Sequence, residues 1–218
     1  AFNNDEDLSD VLKQRSKDVA AALQSYTEKE VWTIYEQVYA KEPNDNLCIA
    51  GGIALNCVAN TRVKSKFKNV HVPPFPNDTG LAIGMALYGH HQINRAPKDS
   101  NYFVPYLGPE YSDEDTTIAC HGSGYKYKKL HVDDVVDVLC ERKPIVMCRG
   151  RSESGPRALG HRSIMCVPDM ENGRDFLNFK IKQREWYRPY APIILDKNVD
   201  EILEDYMPES PYMSTSGT

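Results

Sequence analysis

The 218-residue sequence lacks the metal-binding patterns that spacing alone would reveal. Its six cysteines form no CxxC pair, and its six histidines show no HxxxH or HExxH spacing, so no complete metal site is visible. The cysteines are scattered, mostly within apolar runs, which is typical of reduced thiols that pack in a core. We therefore expect a reduced, cytoplasmic protein.

Long apolar runs and an excess of positive charge are also missing. No run approaches the roughly 20 residues that a membrane-spanning helix needs, and the acidic start AFNNDEDLSD does not resemble a signal peptide. The net charge of −5 gives no global sign of binding to nucleic acid or to an anionic membrane. Because there is no initiator Met, we expect a processed chain or a piece of a longer protein.

Positive charge is nevertheless concentrated in one window. Residues 143–188 contain ten Lys or Arg against five Asp or Glu, so the rest of the chain carries the acidic excess. A basic segment inside an acidic protein indicates a local anion site.

Periodicity predicts an α/β fold. Apolar residues at helical spacing predict helices at 8–40, 53–65, 81–93, 131–143, 173–185 and 199–207. Short apolar runs predict strands at 47–50, 69–75, 144–151 and 162–169. We expect helix 8–40 to be an amphipathic core helix and helix 81–93 to pack tightly against a sheet. A Pro- and Gly-containing stretch without periodicity places a domain boundary near residues 96–105.

Two turns in the first half carry candidate binding residues. Gly51-Gly52 separates a strand from a helix, where backbone can approach a nucleotide closely, although a diglycine here also fits an ordinary turn. In the turn PNDTG, Asp78 could bind a metal or cap the following helix, and local sequence favours the cap.

The stretch RGRSESGPRALGHRSIMC (149–166) is the stronger candidate. It carries four arginines among three glycines, and Glu153 is its only acid. Guanidinium groups bind phosphate and carboxylate oxyanions in a bidentate manner, and glycines let the backbone bend around an anion and donate its own N–H groups. A second patch, KIKQREWYRPYAP (180–192), interleaves basic residues with aromatics, which also fits RNA or single-stranded DNA. A solvated basic face is the plain alternative for both.

Three blocks of the sequence together resemble the NodU- and TobZ-like carbamoyltransferase family. They are GGIALNCVAN…VPPFPNDTGLAIGMAL, GRSESGPRALGHRSI and IKQREWYRPYAP. The resemblance implies the C-terminal lobe of an actin/sugar-kinase-like (ASKHA, TsaD-like) domain at 1–100. It implies an α/β YrdC-like domain, C-terminally incomplete, at 101–218. It further implies that carbamoyl phosphate and ATP form carbamoyl-adenylate, from which the carbamoyl group passes to a hydroxyl of a small-molecule acceptor.

The resemblance also implies roles for particular residues. Catalysis is assigned to Arg157, Arg162 and Arg188. Substrate and phosphate binding is assigned to Arg151, Ser163, Lys182 and Arg184. The nucleotide-binding residues are Gly51, Gly52 and Asn56. Asp78 is assigned to a divalent metal, Fe or Mg, in the full-length protein, which reverses the local preference for a cap.

The chain departs from the family pattern because the upstream HxxxH metal ligands and the first lobe of the kinase-like domain are missing. We therefore expect a fragment that is not fully active alone and that exposes apolar surface, which favours a homodimer. The alternatives are an RNA-binding module related to tRNA modification, and a kinase of the actin-like superfamily.

Overall fold

Short apolar runs that end in glycine or proline turns form the strands, and the longer periodic segments form the helices. The computed structural model describes residues 10–95, 104–207 and 210–217. The chain divides into two compact units, Ala1–Asp99 with Ile193–Thr218, and Ser100–Pro192. The predicted boundary near 96–105 falls largely outside the described residues. The mixture of helices with small sheets fits the α/β class, whereas the kinase-like and YrdC-like assignments stay predictions.

All the predicted helices and strands occur, most of them shorter than the sequence pattern indicated. In chain order the elements are α1 (Asp10–Lys41), β1 (Asn46–Cys48), α2 (Cys57–Thr61), β2 (Asn69–His71), α3 (Leu81–Asn94), α4 (Asp113–Gly122), α5 (Val132–Cys140), β3 (Ile145–Cys148), β4 (Arg162–Met165), α6 (Gly173–Asp175) and α7 (Val199–Ile202). Short 3-10 turns lie at Gly52–Leu55, Arg62–Ser65, Asp78–Gly80 and Asp196–Asn198, and α6 continues as a π-helix over Phe176–Ile181. Within the described residues, no helix combines the length and apolar character that a membrane crossing requires.

The first unit is built on a parallel pair of strands. β1 pairs with β2 in a register that sets Leu47 opposite Val70, and α2 lies in the connection between them, as a parallel pairing requires. The buried core beside these strands consists of Ile49, Ala54, Val63, Phe67 and Val72. The ring of Phe67 meets Tyr39 of α1 edge-on with 5.6 Å between centroids, so α1 joins this core through its last turns.

Two helices do not bury the apolar faces that their sequences present. In α1, Val31 is buried, but Val19 and Leu23 are about two-thirds exposed, so the expectation of a core helix is wrong for most of its length. In α3 no residue is buried, and Met85 and Tyr88 are exposed. The expected tight packing of α3 on a sheet is therefore wrong for the described residues.

The cysteines were expected to be core residues, and this too is wrong. All six are free thiols, and each is exposed or half-buried. Cys48 and Cys148 each end a strand of a two-stranded sheet, Cys140 ends a helix, and all three are exposed.

Gly80, at the start of α3, has no room for a side chain. A Cβ there would lie 2.3 Å from the carbonyl oxygen of Phe75. We predict that Gly80→Ala lowers the free energy of unfolding by about 1–3 kcal/mol, because backbone must move to relieve the overlap. Gly84→Ala, where a Cβ meets nothing within 4 Å, is the matched control and should raise it by about 0.5–1 kcal/mol. Urea unfolding of both variants tests this, and equal effects would contradict the prediction.

The second unit contains an antiparallel hairpin. β3 pairs with β4 in a register that sets Val146 opposite Ile164, and residues 149–161 form the connection. The capping box between Ser112 and Asp115 starts α4, a helix that the sequence analysis did not predict. The segment from Pro105 to Pro109 pairs with the connection, since Ser154 N–H donates to Pro105 O at 2.6 Å and Gly108 N–H donates to Ser152 O at 3.0 Å.

The end of the described chain packs on α2, in the first unit. Asn60, which is buried, donates from Nδ2 to the carbonyl of Ser214 at 2.8 Å. The N–H of Ser216 donates to the Thr61 hydroxyl at 2.8 Å. These bonds satisfy the buried polar side chains of α2.

Candidate functional site

The strand ends of the first unit bring the two predicted turns together. Beyond the last paired residues, Ile49 N–H donates to His71 O at 2.9 Å and Gly51 N–H donates to Pro76 O at 2.7 Å. The diglycine turn therefore lies beside the turn that contains Asp78, at the carboxyl ends of two parallel strands, where α/β sheets commonly bind ligands. Gly51 has φ 100° and ψ 165°, a conformation that is essentially open to glycine alone.

The polar groups of Asn56 are engaged within the chain. Its Oδ1 accepts from Ala59 N–H at 3.1 Å and so caps α2, and its Nδ2 donates to Gln24 Oε1 of α1 at 2.9 Å. These bonds fix the direction in which α2 leaves the diglycine turn. The predicted contact of Asn56 with a nucleotide stays a prediction.

Asp78 is exposed at the first position of the 3-10 turn Asp78–Gly80. The local prediction that Asp78 caps the next helix is wrong, because the N-cap residue of α3 is Gly80 and no side chain caps the helix there. Among the described residues no group of three or more His, Cys, Asp or Glu could hold a metal ion. The described residues therefore do not complete a metal site at Asp78, and its assignment to a divalent metal in the full-length protein stays a prediction.

The β3–β4 connection holds the arginine segment in a tight path. Gly150, Gly155 and Gly160 have φ of 47°, 106° and 93°, so three sharp bends fold the loop back on itself. Arg151, Arg157, Arg162 and Ser163 all lie in this connection or at the start of β4. The predicted anion-binding residues of this block thus share one hairpin.

Glu153 lies at the centre of the hairpin connection. Its Oε1 accepts from Leu159 N–H at 2.6 Å and from His161 N–H at 2.9 Å, and its Oε2 accepts from Arg162 N–H at 3.0 Å. We call these three N–H groups the amide cradle. Partial burial alone would raise the pKa of Glu153, but the backbone N–H groups outweigh it and lower the pKa from 4.5 to about 2. Glu153 is therefore an ionised internal anion at neutral pH.

The stability that Glu153 contributes should disappear in acid. Because its folded-state pKa lies below its usual value, the contribution is complete above about pH 4.5 and is lost as the pH falls towards about 2. The shift corresponds to about 3 kcal/mol, which solvent contact of the half-buried carboxylate reduces to roughly 1–2 kcal/mol. Urea unfolding of wild type and Glu153→Gln should show this difference near pH 6 and little near pH 2. A difference independent of pH would contradict the prediction.

Arg162 and Ser163 close the base of the hairpin connection. The Arg162 guanidinium donates to the carbonyls of Arg149 at 2.8 Å and Gly150 at 3.1 Å, and the buried Ser163 hydroxyl accepts from Gly160 N–H at 2.9 Å. His161 stacks on Tyr106 with 3.8 Å between ring centroids. In this structure Arg162 and Ser163 bind the chain's own backbone, and their predicted contact with substrate stays a prediction.

Arg151 and Arg157 differ in their surroundings from Arg162. Arg151 is exposed and donates to the Leu107 carbonyl at 3.5 Å, at the outer limit of a hydrogen bond. Arg157 is half-buried between the bends at Gly155 and Gly160. The guanidinium of Arg151 is therefore accessible to solvent and to dissolved anions.

Asn178, which the sequence analysis did not identify, organises the second basic patch. It is fully buried, and its Nδ2 donates to the carbonyls of Trp186 and Arg188 at 3.2 and 3.1 Å. Its Oδ1 accepts from Arg184 Nε and from the Tyr190 hydroxyl, both at 2.8 Å. One side chain therefore fixes the loop from residue 182 to residue 190.

The predicted basic residues of this loop have distinct settings. The Arg184 guanidinium lies 4.7 Å from the centroid of the Tyr190 ring, and Arg188 pairs with Glu185 at 3.0 Å. The pKa of Glu185 is lowered, first by a hydrogen bond from the backbone N–H of Glu185 itself and then by Arg188. Lys182 is exposed. Arg184 is thus held in place, and Lys182 and Arg188 extend towards solvent.

The comparisons with known proteins agree on one family. Residues 2–87 match the family described as Carbamoyltransferase N-terminus, and residues 136–217 match Carbamoyltransferase C-terminus. The chain is 40% identical over 171 residues to Nodulation protein U of Rhizobium fredii. The aligned residues cover 77% of this chain and 28% of that protein.

Two further relatives extend over more of the chain. It is 38% identical over 214 residues to an uncharacterized protein of Synechocystis, with 93% of this chain and 35% of that protein covered. It is 33% identical over 213 residues to Nodulation protein NolNO of Sinorhizobium fredii, with 92% and 31% covered. The chain spans about a third of the length of these relatives.

Proposed function

This chain belongs to the carbamoyltransferase family, and we propose that it forms part of an ATP-dependent O-carbamoyltransferase. In the proposed reaction, water releases inorganic phosphate from carbamoyl phosphate, and the resulting carbamate oxygen attacks the α-phosphorus of ATP. Pyrophosphate leaves and carbamoyl-adenylate forms. An acceptor hydroxyl then attacks the carbamoyl carbon, its proton is released, and AMP leaves.

The observation that carries the proposal is the arginine-bearing β3–β4 hairpin, which lies within the matched residues 136–217. Carbamoyl phosphate and ATP are dense anions, and charge that develops during phosphoryl or acyl transfer is best stabilised by cations already held in place. The three glycine bends and the Arg162 backbone bonds supply that rigidity. Arg157 and Arg151 are the guanidinium groups that we propose meet the ligand phosphates, and Arg188 and Lys182 add charge from the second patch.

For the nucleotide we propose the diglycine turn of the first unit. Gly51 and Gly52 are exposed, and a Cβ at either would meet nothing within 4 Å. The space beside this backbone supports a close approach by a ligand. No metal-dependent step is assigned, because among the described residues Asp78 belongs to no group of three or more His, Cys, Asp or Glu that could hold a metal ion.

The direct test is product analysis with the whole protein. Carbamoyl phosphate should make ATP release pyrophosphate, and a hydroxyl acceptor should gain a carbamoyl group and release AMP. Calorimetry on the 218-residue chain should show carbamoyl phosphate or ATP binding that weakens with salt. A phosphorylated acceptor would favour a kinase instead. RNA binding with a steep salt slope that carbamoyl phosphate does not compete with would favour the RNA-binding alternative.

A further inference from the structure

The amide cradle is the one place in the hairpin where backbone N–H groups converge on an anion, and that anion belongs to the chain. The sequence predicted that N–H groups of this segment would serve a ligand. Instead, Leu159, His161 and Arg162 donate to Glu153 at 2.6, 2.9 and 3.0 Å. Because each backbone N–H has only one hydrogen to donate, these bonds engage all three donors and leave the cradle closed to a second anion.

The bonds also connect the two ends of the loop that carries Arg157. Glu153 precedes the bends at Gly155 and Gly160, and its three donors follow Arg157 in the sequence. The carboxylate therefore joins residues that lie six to nine positions apart in the sequence, and the ring that it closes contains Arg157. Two neighbouring contacts support the same ring, since Tyr106 donates to the Leu159 carbonyl at 3.0 Å and Ser154 N–H donates to Pro105 O at 2.6 Å.

We infer that Glu153 is a positioning residue: its carboxylate acts as a built-in anion that folds the arginine loop and directs the substrate phosphate to the arginine side chains. The inference rests on the proposed function for its substrate, carbamoyl phosphate. It explains why an acid stands among four arginines. Without an internal anion, the converging N–H dipoles and guanidinium groups repel one another, and this path of the loop becomes less stable.

Glu153→Ala tests the inference, because it removes the carboxylate side chain and leaves space in which a small carboxylate such as formate can bind. In the 218-residue chain, we expect hydrogen exchange at the amides of Leu159, His161 and Arg162 to accelerate at least tenfold. The Kd for carbamoyl phosphate should rise about tenfold in variant protein that calorimetry shows to be folded. Formate at tens of millimolar should reverse both changes by occupying the cradle. Glu171→Ala removes an exposed acid from the same unit and should change neither quantity.

The outcomes separate the inference from the proposed function. If wild type binds no carbamoyl phosphate, the proposed function fails, and amide exchange with formate rescue still decides the role of Glu153. If exchange accelerates but carbamoyl phosphate binds the variant as well as wild type, Glu153 only stabilises the fold and the inference is overturned. Tighter binding by the variant, with formate as a competitor, would also overturn it, because the amide cradle would then be the substrate's own site.

Discussion

Arg157→Lys is expected to lower carbamoyl-phosphate turnover by the whole protein by about 10- to 100-fold, although the charge is retained. A guanidinium binds two phosphate oxygens through parallel N–H bonds, which a lysine ammonium cannot reproduce. Hydrogen bonds to charged groups contribute about 1.5–3 kcal/mol each, which is the source of the expected range. The bends at Gly155 and Gly160 fix the backbone around residue 157, so the shorter lysine side chain places its charge at a different point.

Two further variants give this experiment its controls. Arg174→Lys makes the same chemical change at an exposed position outside the hairpin and should keep turnover within about twofold. Arg162→Lys should lower turnover and also the free energy of unfolding, because the bonds to the carbonyls of Arg149 and Gly150 are lost. If Arg157→Lys keeps wild-type turnover and affinity, the arginine segment is a solvated basic face and the proposed anion site fails.

The hairpin shows what the sequence could predict about this site. The pattern of apolar runs placed Arg157 between two strands, as found, but it wrongly extended the first strand over Arg149 and Arg151. It did not indicate that Glu153 takes the backbone N–H groups expected for a ligand. That pairing depends on the path of the loop through left-handed glycine conformations, which is a tertiary property. The sequence feature that could have indicated this pairing is the single acid among four arginines, because a carboxylate held inside a loop needs hydrogen-bond donors.

Periodicity predicted the helices well and their burial poorly. A spacing of three and four residues identifies an apolar face, but it does not identify what covers that face. For this reason α1 and α3 were predicted as helices and wrongly expected to be buried. The bonds from α2 to Ser214 and Ser216 span more than 150 residues, and no local pattern marks them. The capping box of α4 was readable from Ser112 and Asp115 but lay in a stretch interpreted as a linker.

The second large effect is expected from Asn178, whose amide holds the loop that carries Arg184 and Arg188. Replacement by leucine fills the volume but provides no hydrogen bonds. The carbonyls of Trp186 and Arg188 would lose a donor, and Arg184 and Tyr190 would lose an acceptor. Each unsatisfied buried group costs about 1–3 kcal/mol, and groups that reach water recover part of this. We therefore expect Asn178→Leu to lower the free energy of unfolding by about 3–5 kcal/mol.

A second variant determines whether the loss comes from the hydrogen bonds or from the change of shape. Asn178→Asp keeps the acceptor for Arg184 and Tyr190 and removes both donors. It should fall between wild type and Asn178→Leu, since a carboxylate facing two carbonyls is unfavourable and the Arg184 guanidinium offsets part of that repulsion. Lys180→Ala, at an exposed position of the same helical turn, should stay within about 0.5 kcal/mol. Urea unfolding followed by circular dichroism measures all three. If Asn178→Leu is as stable as wild type, the amide does not hold this loop, and Arg184 and Arg188 must be positioned by other contacts.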